Sequence, residues 1–121
     1  MDNDPQPIAE PDTIINRYRA DSDGNPTGGE SLARGIQIRW QNGPLGRDGN
    51  RVPPNGAFVE DVITIAIDRL NFYNESKFRS RENSLAITKL EEALHWLNHR
   101  TARREKQGIE GTHQEDPKAQ S

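Results

Sequence analysis

The segment from Ser80 to His113, SRENSLAITKLEEALHWLNHRTARREKQGIEGTH, constrains the fold more than any other part of the chain. Ile87, Leu90, Leu94 and Leu97 recur at spacings of three and four, with Ala86 and Ala93 beside them, which marks a helix with one apolar stripe. Ser80 is a natural N-cap, Glu82 suits the positive end of the helix dipole, and Gly108 is the residue type at which helices commonly stop. The pattern predicts a helix of about 27 residues, hence roughly 40 Å long. A rod of that length needs a second surface to cover its stripe.

That surface is predicted within the chain. Val59, Val62, Ile63, Ala66, Leu70 and Tyr73 follow helical spacing, so a helix is expected from Ala57 to Tyr73, capped by Asn55, with Glu60 and Asp61 in its first turns. The run VITIAI (62–67) is also compatible with a buried strand, because β-branched residues favour one. The longer helical periodicity decides for the helix. The connector NESKFR (74–79) is short enough to make the pair an antiparallel hairpin. The second helix, about ten residues longer, overhangs the first by roughly 15 Å.

The N-terminal third reads differently. Ile15, Arg17 and Arg19 alternate with Ile14, Asn16 and Tyr18, and Ile36, Ile38 and Trp40 alternate with Gln37, Arg39 and Gln41. Period-two alternation predicts a small antiparallel β element, its parts joined through the turn-rich DSDGNPTGG (21–29). Residues 42–56, with four glycines and three prolines, read as a loop. The expected class is α+β: a single domain over 13–113, with a β part at 13–54 and a helical hairpin at 55–108. Residues 1–12 and 114–121 are expected to be a disordered lead and tail.

Composition limits what this domain can bury. Leu, Ile, Val and Phe number only 23 of 121 residues, and the mean hydropathy is −1.00. Such poverty points toward disorder, but the net charge of −3 argues against it. A small fold that completes its core against a second copy of itself satisfies both facts. The charge is uneven: residues 1–30 carry −5 and 111–121 carry −1, leaving residues 31–110 at +3. A mildly basic body with an overall pI near 5.6 is unlike a binder of long nucleic acid and suits a small anion. The absence of cysteine excludes disulfides and thiolate chemistry. No apolar run approaches a membrane span of roughly 20 residues, and the acidic MDNDPQPIAEPD start is unlike a signal peptide. A cytoplasmic location is expected.

The residues that could carry chemistry sit mostly on the long helix. Arg100, Arg103, Arg104 and Lys106 crowd its last two turns, with His95, Trp96 and His99 just before. Arginine offers a planar fork for phosphate and a face that stacks on bases, although a solvated helix end explains the cluster equally well. Asn83 carries an amide of the kind that reads an adenine edge, and Tyr73 adds a stacking surface across the hairpin turn. Asn83 and Arg100 are 17 residues apart, hence roughly 25 Å apart on one helix. Two chains packed antiparallel would bring Asn83 of one toward Arg100 and Arg104 of the other, giving two pockets under two-fold symmetry. Other signals are weaker. NGPLGRDG (42–49) lacks the Lys-Ser/Thr of a phosphate-binding loop, although Arg47 and Arg51 could reach an anion from it. His95 and His99 have zinc-compatible spacing, but Trp96 stands where a metalloprotease helix needs glutamate. No metal, no cofactor and no catalytic residue are expected.

Five segments, WQNGPLGR (40–47), NGAFVEDVI (55–63), RLNFYNESKFRSREN (69–83), AITKLEEALHWLNHRT (86–101) and QGIEGTH (107–113), resemble the Thoeris anti-defence type 1 proteins. More loosely they resemble the anti-CBASS sponges that share the helical hairpin. The resemblance implies a phage or prophage protein that works in the host cytoplasm by sequestering an immune signal, a cyclic ADP-ribose isomer made by TIR-domain enzymes. Some relatives also hold cyclic di- or trinucleotides at a second site and assemble as trimers of dimers. By position it implies that Tyr73 stacks on a base, Asn83 reads it, and Arg100 and Arg104 stack and bind phosphate. Arg103 and His113 are further candidates for that pocket, and Arg17, Arg19 and Arg47 for the second site. Rival readings are an enzyme that degrades the same signal and a phage protein whose hairpin serves only assembly.

Overall fold

In a computed structural model the described residues are 13–116. They form an N-terminal three-stranded sheet followed by two helices, an α+β arrangement as expected: β1 (Ile15–Ala20), β2 (Pro26–Ala33), β3 (Ile36–Trp40), α1 (Val59–Asn74) and α2 (Arg81–Lys106). By contacts the chain divides into two units. Among the described residues, one contains 13–57 together with Gly111–His113, and the other contains Phe58–Glu110 and 114–116.

In the first unit, β1, β2 and β3 form an antiparallel meander in sequence order. The central strand is a correction to the sequence reading, which assigned Pro26–Gly29 to a turn. Pro26 is tolerated because it is the first residue of β2, where a missing N–H costs least. Gly29 is needed: its φ is +133°, and a Cβ there would stand 2.0 Å from the Arg17 carbonyl oxygen. The turn itself is shorter, built by Asp21, whose Oδ1 accepts from the N–H groups of Asp23 (2.9 Å) and Asn25 (3.0 Å). One sheet face carries a polar relay: Trp40 Nε1 donates to Ser31 Oγ, which donates to Asn16 Oδ1, both at 2.7 Å. On the other face, Arg17, Glu30 and Arg39 lie in one cross-strand row.

The second unit is the helical hairpin. Its helices of 16 and 26 residues give lengths of about 24 and 39 Å, so the expected overhang is present. Asn55 does not cap α1. Its side chain is bound to the backbone of Asn42, accepting from N–H at 2.8 Å and donating to the carbonyl at 3.0 Å. Phe58 is the N-cap, and its N–H donates to the Asp61 carboxylate at 2.8 Å, so the first-turn acid does the capping from inside the helix. The start of α2 follows the sequence reading: Ser80 Oγ accepts from Asn83 N–H at 3.0 Å. Its end is a Schellman turn. Gly108 sits at φ +75°, with Gly108 N–H bound to Glu105 O (3.1 Å) and Ile109 N–H to Arg104 O (3.0 Å).

The apolar stripe of α2 is as anticipated, with Ile87 buried. On α1 the central part of the expected stripe, Val62, Ile63, Ala66 and Leu70, is half-buried, with Ile67 buried on the same face, while Val59 and Tyr73 at the stripe's two ends are exposed. The core is thin. Ile67, Ile87 and Ile109 are the buried apolar residues among those described, while Ile65, Phe72, Phe78, Leu85 and Trp96 are each at least 46% exposed. Among the described residues no helix is long and apolar enough to cross a membrane.

Candidate functional site

The last two turns of α2 bring three guanidinium groups onto one carboxylate. Arg100, Arg103 and Arg104 share a helix face because they are three and four residues apart, and the chain after the Schellman turn carries Asp116 to them. Arg104 Nη1 donates to Asp116 Oδ1 at 2.6 Å and Arg100 Nε to Oδ2 at 3.0 Å, while Arg103 Nη2 stands 3.5 Å from Oδ2. The hydrogen bond from Arg104, above all, holds the Asp116 carboxyl below its ordinary titration range, with Arg100 adding to the effect and partial burial opposing it.

The three arginines differ in their freedom. Arg100 is 53% exposed and Arg103 22%, whereas Arg104 is only 10% exposed at its side chain. Arg104 also donates from Nη2 to the Ile109 carbonyl at 3.1 Å, so it ties the helix to the chain that follows. Its neighbours leave hydrogen-bonding capacity: Arg103 Nη1 and Gln107 Oε1 are buried yet make no hydrogen bond among the described residues. A buried donor beside a fork of cations is suited to an oxygen-rich anion.

The opposite end of the hairpin carries the other predicted residues. Tyr73 is in the last turn of α1, 37% exposed. The guanidinium of Arg69 lies over its ring, 4.7 Å from the centroid, and donates to its hydroxyl at 3.0 Å. The same guanidinium is 5.2 Å from the Phe72 ring centroid. Asn83 belongs to the first turn of α2, where its Nδ2 donates to the Phe78 carbonyl at 3.3 Å. Asn74 fixes the connector between them: its Oδ1 accepts from Ser80 N–H (3.1 Å) and its Nδ2 donates to Ser84 Oγ (3.0 Å). Tyr73 and Asn83 thus flank one turn, while the arginines lie roughly 25 Å along α2. The two sets do not meet within one chain.

The remaining candidates fall in the first unit. Arg19 is ion-paired with Glu30, and that pairing lowers the Glu30 titration and raises that of Arg19. Arg17 and Arg39 flank the same carboxylate. Arg47 precedes a single 3-10 turn at Asp48–Asn50, and His113 acts electrostatically on Asp21. On α2, Trp96 stands edge-on to His95 and His99, 5.7 Å from each ring centroid. Thr88, Glu91, Glu92, His95 and Trp96 line an open depression, whose two carboxylates make it a poor match for an anion.

Sequence reasoning missed Asp116, Arg69 and Arg39. Asp116 lay in a polar segment with no periodicity. Arg69 had a readable signal, being four residues before Tyr73 on a helix. Arg39 needed the strand register.

Two comparisons bear on this arrangement. The family described as Acb2/Tad1, hairpin domain, matches residues 32–102, a stretch that includes Tyr73, Asn83 and Arg100 and ends before Arg103. Thoeris anti-defense 1 from Bacillus phage SBSphiJ7 is 51% identical over 77 residues, which cover 64% of this chain and 51% of the relative. The chain therefore spans about half the length of that curated relative.

Proposed function

The chain belongs to the Acb2/Tad1 hairpin-domain family, and from that premise we propose that it is a phage anti-defence protein that captures a cyclic ADP-ribose isomer without cleaving it. The observation that carries this reading is the pair of unlike ends on α2. At one end an aromatic ring and an amide flank the hairpin turn, chemistry suited to a base. At the other, three arginines converge on an anion, chemistry suited to phosphate.

Since one helix separates these ends by roughly 25 Å, each pocket in this reading is completed by a second chain running antiparallel. Tyr73 and Asn83 of one protomer then hold the base while Arg100 and Arg104 of the other, with Arg103 beside them, hold the phosphates. The exposed Phe72, Leu85 and Trp96 support such an assembly, because they offer apolar surface for a second copy to cover. The site of action is the cytoplasm of the infected host. His113 is a further candidate for the same pocket. Arg17, Arg19 and Arg47 are the cations assigned to a second site for cyclic di- or trinucleotides. The row of Arg17 and Arg39 about Glu30 supports this with an excess of positive charge on that sheet face.

The test is depletion and recovery. The protein is mixed with the cyclic ADP-ribose isomer, free signal is quantified by liquid chromatography, and the sample is then heat-denatured and its supernatant analysed. Intact signal released on heating is the expected result. Fragments would identify an enzyme, and undiminished free signal would leave the hairpin as an assembly element only. Asn83→Ala and Arg100→Ala should each abolish capture while the assembly persists in sedimentation. Capture surviving either change would overturn the site assignment.

A further inference from the structure

We propose that Asp116 is an internal competitor of the ligand: its carboxylate occupies the phosphate position of the arginine end and has to leave before a phosphorylated ligand binds there. The phosphate assignment rests on the function proposed above. The competitor claim rests on the geometry at the end of α2.

Three cations within one turn repel one another, and the C-terminal end of a helix has little intrinsic attraction for an anion. The arginines nevertheless converge, because Asp116 lies among them and bonds to Arg100 and Arg104 with good hydrogen-bond distances. The match is incomplete. Arg103 Nη2 is 3.5 Å from the nearer oxygen, and Arg103 Nη1 is buried without a hydrogen-bond partner among the described residues. A carboxylate has two oxygens, both already engaged by the other arginines. A phosphate has more oxygens and a larger charge, so it can satisfy the Arg103 donors as well. Asp116 is also placed to leave: it belongs to a stretch without regular structure, Gln114–Asp116, and is 32% exposed. In its docked form it offsets part of the cluster's charge and keeps the cluster assembled. It also lowers apparent affinity by the fraction of time the site is occupied.

The experiment titrates inorganic pyrophosphate into the full chain by calorimetry at one fixed low salt concentration. Asp116→Asn and Asp116→Ala are compared with the parent chain and with Glu115→Gln, which changes net charge equally but alters the residue next to Asp116. Far-UV circular dichroism verifies that each variant retains its helices. The expected result is about tenfold tighter binding for both Asp116 variants, which corresponds to an occupancy of about nine-tenths by Asp116 in the parent, and no gain for Glu115→Gln. Binding that is unchanged or weaker in the Asp116 variants would make Asp116 a structural tie and overturn the proposal. An equal gain in Glu115→Gln would overturn it too, by reducing the effect to net charge. A parallel titration with the cyclic ADP-ribose isomer separates the two claims. Capture by the parent chain without a gain in the Asp116 variants sinks only the competitor. A pyrophosphate gain with no capture by any chain sinks only the signal reading.

Discussion

Arg104→Ala should destabilise the chain, whereas Arg100→Ala should not, although both residues touch the same carboxylate. Arg104 is 10% exposed at its side chain and Arg100 53%. The charge-assisted hydrogen bond from Arg104 Nη2 to the Ile109 carbonyl contributes about 1.5–3 kcal/mol. Truncation also removes two buried methylenes at about 0.8 kcal/mol each. Together these give about 3–5 kcal/mol, with the loss falling on the turn that ends α2. Arg100, half exposed and paired at the surface with Asp116, should cost no more than about 1 kcal/mol. Urea unfolding followed by far-UV circular dichroism at one fixed protein concentration reads the difference directly. An Arg104→Ala midpoint equal to that of the parent, or an equal loss for Arg100→Ala, would refute the division of the cluster into a structural arginine and an exposed one. The distinction matters for function as well. Lost capture in Arg104→Ala would report on a damaged helix end as much as on ligand contact, so Arg100 is the cleaner probe.

Three further outcomes are expected. Asp116 and Glu30 titrate below their ordinary range in the folded chain. Their stabilisation is therefore complete above the ordinary carboxylate pKa and is lost as pH falls through the lowered folded values; a melting-temperature profile from pH 6 downward should show this, with a shallower acid limb in Asp116→Asn. Ser80→Ala removes the acceptor for Asn83 N–H and should cost about 1 kcal/mol in urea unfolding, with amide exchange faster in the first turn of α2. Gly29→Ala puts a Cβ 2.0 Å from the Arg17 carbonyl, so β1 should detach first. Hydrogen exchange should lose protection in Ile15–Ala20 while α1 and α2 keep theirs.

Local rules made much of the hairpin legible. Ser80, Gly108 and the Ile87 stripe are each fixed by neighbours within a turn or two, so their roles can be read from spacing. The failures lie where a distant partner decides. Asn55 has the right chemistry for a cap, but the Asn42 backbone claims its amide, and Asp61 takes over. Gly29 and Pro26 look like turn residues. Only the approach of the Arg17 backbone shows why glycine is required at position 29 in the middle of a sheet. The arginine cluster was visible as composition, but its division was not. Nothing in the order of residues 100–116 says that Arg104 turns inward to the Ile109 carbonyl while Arg100 stays in water, or that Asp116 returns to both. The opposed ends of α2 were legible because helical rise converts sequence separation into distance.

The thinness of the core leads to a last expectation about assembly. Ile65 at 69%, Phe72 at 58% and Trp96 at 65% exposure leave large apolar side chains of the helices in water, while Ile67 and Ile87 are the buried apolar residues of α1 and α2. A chain that covers these residues with a second copy gains stability from association, and mass action then ties stability to concentration. For a folded dimer in equilibrium with unfolded monomers, each tenfold dilution lowers apparent stability by about 1.4 kcal/mol. A cooperative unit of two such chains should lose about 2–4 °C in melting temperature for each kcal/mol. Melts across a hundredfold concentration range should therefore shift steadily, and Trp96→Ser should shift the whole series downward. The tryptophan emission of the parent should move to the red as the assembly opens. A melting temperature independent of concentration, together with monomeric sedimentation, would mean that these side chains stay in water. The antiparallel arrangement that joins Asn83 to Arg100 would fail with it.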